Sequence, residues 1–440
     1  MSSPASHHSK GARQRMGVKV VVIGGGSTYT PELIEGLANR ADRLPIDELV
    51  LHDIDAERLS VVGGLAGRML KRVGWGGRLT LTGDRSAGLD GADFVLVQLR
   101  IGGQAARLID ESLPLRFGTI GQETTGAGGF AKGLRTIPVV LELADEMRRL
   151  AHDEAWIVDF TNPVGMVTQA LLDDGHRAIG LCNVAITLQR HLAERLGVEP
   201  DRVELDHVGL NHLSWVRALR VDGVDRLPEL LASQADSIAE EMDLPVDAFR
   251  RTGAVPSYYL RYYYAFAETL EKQRKGPSRA ETVAGIEGQL LEMYRDPSLD
   301  EKPALLADRG GAFYSEAAAQ LLASLYDGRG DIQVVDVRND GSMADLPDDA
   351  VVEVPARIDR DGAHPLPVGA LTDEMRDLVL QVKAYERLAI RAARSGDRGD
   401  ALAALSANPL VGPYTDPEPL LDATLEASRR YLPAFFPNRH

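Results

Sequence analysis

The sequence predicts an α/β protein, a doubly wound parallel sheet followed by a mixed α+β region. Three observations carry this. Val18 to Ile23 is a nearly continuous β-branched run, as a strand buried on both faces of a parallel sheet requires. A glycine turn, Gly24-Gly25-Gly26, follows at once and runs into a helix signal. A second apolar run, Glu48-Leu49-Val50-Leu51-His52, then ends in an acid, Asp53.

Composition narrows the class. With 440 residues, 44% hydrophobic and 26% charged, the chain can build an ample core. The net charge of −16 disfavours nucleic acid and anionic membranes as partners, but not a small anion held by a few arginines. One cysteine forbids an intrachain disulfide and fits a reducing, cytoplasmic compartment. No apolar run reaches the ~18 residues of a transmembrane helix. Residues 1–17 are polar and basic with no apolar core, so a disordered N-terminal extension is expected rather than a secretory signal. His7-His8 falls in that tail.

Taken in order, the first half reads as a dinucleotide-binding domain over residues 18–185. Gly24, Gly25, Gly26, Ser27 and Thr28 form the turn that would approach a pyrophosphate. Thr30 can N-cap the helix Pro31–Asn39, and Pro31 suits its first turn. Tyr29 replaces the usual third glycine. Asp53 stands where ribose hydroxyls are bound, which favours NAD over NADP. Helix Ala56–Val73 and strands Arg78–Thr82 and Ala92–Leu99 follow. The last strand opens into Arg100-Ile101-Gly102-Gly103, at the carboxyl end of the sheet where ligands bind, with Arg100 a cofactor-binding candidate and Arg107 nearby. Gly121–Gly129 is too elaborate for a connector and reads as a functional loop before helix Ile137–His152. Strand Ala155–Phe160 leads to Asn162-Pro163, which would place an amide beside the cofactor's reactive end.

Residues 186–440 read as an α+β domain for substrate, metal and oligomerisation. Cys182 lies at its threshold, in Gly180-Leu181-Cys182-Asn183. An isolated thiol is by default a small buried hydrophobe. His212, in an expected strand Asp206–Ala218, offers a second ligand. Helices are expected at Ile186–Leu196, stopped by Gly197, and at Leu227–Met242, with a hairpin turn at Asp222-Gly223 between them. Five tyrosines crowd Ser257–Tyr264. Ser278-Arg279-Ala280-Glu281 is a capping box opening a helix to Tyr294, and Arg279 in its first turn suits an anion. Helix Ser315–Tyr326, strands Asp331–Val337 and Val351–Val354, and helices Thr372–Ser395 and Pro417–Tyr431 complete the chain.

One thiol and one imidazole give a metal only two protein ligands. Softness alone points to zinc, but a structural zinc site wants four, so an open site completed by substrate and water fits better. Tyr259 could act as a base only if a cation lowered its pKa.

Several ordered stretches resemble glycoside hydrolase family 4, the NAD- and divalent-metal-dependent glycosidases, and within it the 6-phospho-β-glucosidases. They are Ile23–Leu33, Gly121–Gly129, Phe160-Thr161-Asn162-Pro163, Gly180-Leu181-Cys182-Asn183-Val184, Gly209-Leu210-Asn211-His212-Leu213-Ser214, Tyr259-Leu260-Arg261-Tyr262-Tyr263 and Arg338-Asn339-Asp340-Gly341-Ser342. This family departs from the two-carboxylate scheme of most glycosidases. The resemblance implies a Rossmann-like fold of the lactate/malate dehydrogenase-like superfamily, a bound NAD, and manganese or another divalent metal on Cys182 and His212. It implies Tyr259 as base, Glu123 as the group that raises its basicity, and Arg107, Asn162 and Arg279 as substrate-binding residues suited to a sugar phosphate. Asn183 stands where α-selective members carry an acidic Asp, and its amide cannot protonate a leaving group, which favours a β-glycoside. The implied reaction is transient oxidation at C3, deprotonation at C2, elimination of the aglycone, addition of water and return of the hydride. A homodimer or homotetramer is implied. Two loops depart from the family pattern, at Ile101 and Ala185, each in place of proline. The rival readings are a family member acting on unphosphorylated or α-linked sugars, a 2-hydroxy acid dehydrogenase using Asp206-His207, and a nucleotide-sensing protein with a decayed site.

Overall fold

The computed structural model describes residues 17–311 and 313–437; the N-terminal extension and His7-His8 lie outside the described residues, apart from Gly17. Thirteen strands are seen among them: β1 Val18–Ile23, β2 Ile46–His52, β3 Arg78–Thr82, β4 Phe94–Val97, β5 Trp156–Asp159, β6 Ala178–Gly180, β7 Val203–Leu210, β8 Leu213–Val221, β9 Val224–Asp225, β10 Val255–Pro256, β11 Asp331–Arg338, β12 Val351–Asp359 and β13 Gly362–Pro365. Nine form one sheet in the order β13-β12-β11-β6-β5-β4-β1-β2-β3. β6 to β3 are parallel, and their order is the doubly wound dinucleotide order with its switch point between β1 and β4. At that point the strand ends diverge and leave a crevice. The expected fold class is what the chain adopts.

The sheet does not stop where the first half ends. β11 pairs antiparallel with β6, and β12 and β13 follow it. Strands from beyond residue 330 therefore complete the sheet begun by residues 18–180. One continuous core of apolar residues runs from Val18 to Leu432. Its inner strands are fully buried, as the unbroken runs Val20-Val21-Val22 and Val95-Leu96-Val97 require.

Several expectations need correction. Asp206–Ala218 is not one strand but two, β7 and β8, folded back at Asn211-His212 with Leu210 opposite Leu213. The apolar alternation slips phase at the turn, from Val208 and Leu210 to Leu213 and Trp215, but no glycine or proline stands at Asn211-His212 to mark a reversal. Thr30 is no N-cap: it lies inside helix Thr30–Ala38, buried, and its hydroxyl accepts from Gln98 Nε2 at 3.0 Å. The expected loop Gly121–Gly129 becomes helix at Gly126, and that helix runs to Leu150. Its glycines hid it, yet a Cβ at Gly128 would lie 2.2 Å from the Gln122 carbonyl oxygen and one at Gly129 2.6 Å from the Thr124 carbonyl carbon. These positions are glycine for close backbone approach, not for flexibility. Helices Gly103–Arg116, Val164–Asp173, Val246–Thr252 and Arg398–Ala407 were not anticipated. The capping box at Ser278 and Glu281 is present, as expected.

Candidate active site

The crevice at the switch point is a cleft of about 1370 Å³. Its floor is the glycine turn. Gly24 and Gly25 both donate their N–H groups to the His52 carbonyl, at 2.9 and 2.8 Å, which locks the turn against β2. A Cβ at Gly25 would lie 2.8 Å from Leu51 Cβ, so only glycine passes there. The Gly26 N–H donates to Asp53 Oδ2 at 2.9 Å, which fixes the acid at the end of β2. Gly24, Ser27 and Asp53 line the cleft, while Gly25, Gly26 and Thr28 are not among its lining residues. Thr28 is fully buried, donates to Glu287 at 3.2 Å and accepts from Arg309 Nε at 2.8 Å. Arg309 thus brings a half-buried cation to the turn from 281 residues away.

Beside the turn lies a charge cluster centred on Glu123. Arg100 bonds it directly, Arg107 Nε sits at 3.2 Å and Lys132 Nζ donates at 2.8 Å. Burial alone would raise the Glu123 carboxyl; Arg100, Lys132 and Arg107 outweigh it and hold the group well below the usual range. Burial, reinforced by Arg100, pushes the Lys132 ammonium down to about 8. Arg107 also donates to Glu111 at 2.7 Å, whose other oxygen accepts the Ala280 N–H at the start of helix Arg279–Tyr294. Three cations therefore meet two carboxylates, and the surplus is positive. Arg100 faces Glu123 rather than standing alone for a cofactor. Arg279, from the same rim, lines the cleft and donates to the carbonyls of Asp308 and Arg309 at 2.8 and 3.0 Å.

At the inner end, the hairpin turn and the end of β6 bring Cys182 and His212 together. Sγ and Nε2 face each other at 3.5 Å, both residues buried. Tyr259 stacks on the His212 ring at 3.8 Å between centroids, and Tyr258 stacks on Tyr259 at 4.5 Å. The Tyr314 hydroxyl donates to Sγ at 3.8 Å. Burial pushes the His212 imidazole down to about 4, so it is neutral at pH 7 with a lone pair to offer. Burial also pushes the Cys182 thiol and the Tyr259 phenol up, the latter helped by Tyr258. Asn162, Asn183, Tyr258 and Tyr259 line the cleft here, and Asn162 Oδ1 is buried without a partner.

The structure sets ten of the fifteen expected residues on the lining of one cleft, with Cys182 and His212 behind Tyr259, and adds Lys132, Arg309 and Tyr314 to the lining and Glu353 beyond it. The sequence signal for Lys132 was a charge inside an apolar, glycine-rich run, Phe130-Ala131-Lys132-Gly133-Leu134. Glu353 gave no such signal. The Asp206-His207 pair expected of a dehydrogenase does not form: Asp206 pairs with Arg217 at 3.2 Å, and His207 bonds Glu353 at 2.8 Å in full burial.

The donor sets fit both groups. A sulfur and a nitrogen 3.5 Å apart have the spacing of two donors each about 2.0–2.3 Å from one ion. Among the described residues no cluster of three or more His, Cys, Asp or Glu is arranged as ligands, so the remaining positions of such an ion stay open. The glycine turn, Ser27 and Asp53 offer a dinucleotide what it needs, with no Cβ in the way.

A doubly wound sheet, a cleft at its switch point and a Cys–His pair beyond the cleft's inner end are the frame of a nucleotide-dependent enzyme. The model of the family 4 glycosyl hydrolases matches residues 19–198, and the model of that family's C-terminal domain matches residues 207–411. The chain belongs to family 4 of the glycosyl hydrolases. It is 43% identical to the probable 6-phospho-β-glucosidase of Bacillus subtilis (strain 168), over 96% of this chain and 98% of that one. It also matches the structure of the 6-phospho-β-glucosidase from Thermotoga maritima with manganese, NAD⁺ and glucose 6-phosphate, with a TM-score of 0.89 and 36% identity, covering 94% of this chain and 99% of that one. A malate dehydrogenase from Plasmodium falciparum shares the fold at 14% identity and a TM-score of 0.52, covering 86% of this chain and 98% of that one.

Proposed function

We propose that this glycosidase hydrolyses 6-phospho-β-glucosides with NAD and a divalent ion, manganese by the company of its relatives. The observation that carries the reading is the Cys182–His212 pair with Tyr259 stacked on the imidazole, at the inner end of a cleft floored by the glycine turn. When bound, NAD supplies reversible oxidation at C3, and the ion supplies Lewis acidity at the C2 and C3 oxygens. The residues do the rest. Asn162 offers its unpartnered Oδ1 to a sugar hydroxyl. Tyr259 is placed to take the C2 proton; burial raises its phenol well above the usual range, and a divalent ion held by the neighbouring Cys182 and His212 would oppose that. The aglycone then departs by elimination and water adds back. Asn183 carries no proton to give, so the leaving group must depart without it, as suits a β-linkage. The surplus of cations from Arg100, Arg107 and Lys132 over Glu123 and Glu111, with Arg279 at the rim, suits the phosphate of the sugar. We assign residues 18–185 to cofactor binding and 186–440 to substrate, metal and assembly, as a cytoplasmic homodimer or homotetramer.

The test is turnover of an aryl 6-phospho-β-glucoside in D₂O. Deuterium at C2 of the released sugar phosphate is expected, with activity lost when NAD⁺ and the metal are removed. Hydrolysis indifferent to both would sink the reading.

A further inference from the structure

We propose that Glu353 is a positioning residue for His212: it grips the β7–β8 hairpin at two points and holds the imidazole to Cys182. The inference rests on the reading of Cys182 and His212 as ligands of a divalent ion.

Four adjacent strands set one residue each in a single row across the sheet. Asp159 of β5 is in register with Gly180 of β6, Gly180 with Asp336 of β11, and Asp336 with Glu353 of β12. Gly180 lies two residues before Cys182. A Cβ at Gly180 would lie 2.8 Å from Asp336 Cβ, so the row is crowded and glycine makes room. All three carboxyl side chains are buried, at 0%, 0% and 1% exposure. Burying three acids together is costly and calls for a reason.

They differ in what they touch. Asp159 accepts from the Thr161 N–H at 2.9 Å. Asp336 has both oxygens buried without a hydrogen-bond partner, and burial, then Glu353, raises its carboxyl well above the usual range. Glu353 is bonded through both oxygens. Oε2 meets His207 Nε2 at 2.8 Å, and Oε1 accepts from Asn211 Nδ2 at 3.1 Å. Both partners belong to the hairpin: His207 is on β7 and Asn211 is the first turn residue. His212 follows directly, with φ of +63°, a left-handed conformation uncommon outside glycine. Glu353 thus pins the turn from outside the hairpin, 142 residues away in the chain. Outer partners of metal ligands typically tune affinity 10–100-fold.

The experiment titrates the full-length protein with Mn²⁺ and reads the free ion by electron paramagnetic resonance. Wild type, Glu353→Gln, Asn211→Ala and Cys182→Ser are compared, with the Kd for NAD⁺ measured alongside. Glu353→Gln is expected to raise the Kd for Mn²⁺ by about 10–100-fold, and Asn211→Ala by less, both with NAD⁺ affinity unchanged. Wild-type Mn²⁺ affinity in these two variants overturns the proposal. So does a parallel loss of NAD⁺ affinity, which would mark Glu353 as merely structural. If Glu353→Gln does not fold, Asn211→Ala alone decides by the same criterion. If Cys182→Ser binds Mn²⁺ as tightly as wild type, the ligand assignment itself has failed and the proposal falls with it.

Discussion

Tyr259 shows what one residue type can and cannot reveal. A tyrosine among five is more often packing than chemistry, and two of its neighbours, Leu260 and Tyr262, are indeed buried core. What sets Tyr259 apart is the ring stacked on His212, a contact between residues 47 positions apart that no local pattern encodes. Cys182 and His212 were legible because a lone thiol and a histidine flanked by apolar strand residues are chemically conspicuous. Lys132 and Glu353 were not, because a buried charge is interpretable only once its partner is known, and the partners are Glu123 and a hairpin far away in the chain. At this scale the expected outcome is that Tyr259→Phe lowers kcat by about 10²–10⁴ while the Kd for NAD⁺ is unchanged. Steady-state kinetics and a separate binding titration check it. A fall in NAD⁺ affinity of similar size would assign Tyr259 to packing.

At the scale of elements, periodic runs announced themselves and close-packed ones did not. β1, β3 and the Ser278 capping box fall where their residues predicted. Helix Gly126–Leu150 was half missed, since Gly126, Gly128, Gly129 and Pro138 all argue against a helix locally. The tertiary fit overrides that local cost. The Gln122 and Asp110 carbonyl oxygens would stand 2.2 and 2.5 Å from a Cβ at Gly128. Gly128→Ala must therefore displace the loop that carries Glu123, and it is expected to destabilise the fold by about 1–3 kcal/mol. Calorimetry should show a lower Tm, and kinetics should show lost turnover, although residue 128 is not among those that line the cleft. An unchanged Tm would mean the loop yields freely. The β7–β8 reversal is hidden for the opposite reason: only a slip in apolar phase between Leu210 and Leu213 marks it, with no glycine or proline in the turn itself.

The whole molecule ties its halves through the sheet, the cleft and long-range pairs such as Arg309 with Thr28. The first half could be read from its motifs because doubly wound sheets follow a few topological rules. That strands beyond residue 330 would cap its open edge could not, because nothing in β11 names its neighbour. A fragment of residues 18–185 is expected to bind neither NAD⁺ nor Mn²⁺ with native affinity and to aggregate, since β6 is left as a bare edge and Cys182 lacks His212. Size-exclusion chromatography and binding titrations of the fragment against the full chain would check this; a monomeric, NAD⁺-binding fragment would contradict it.

The late arrival of β11 matters on the ribosome. About 150 residues separate β6 from the strand that covers it, so at roughly 5–20 residues per second the edge stays open for about 8–30 s of synthesis. Throughout that window the nascent chain displays a hydrogen-bonding edge beside Cys182, with Arg309 and the outer strands still to be made. Chaperone capture of the growing chain would shield that edge until the last strands are translated.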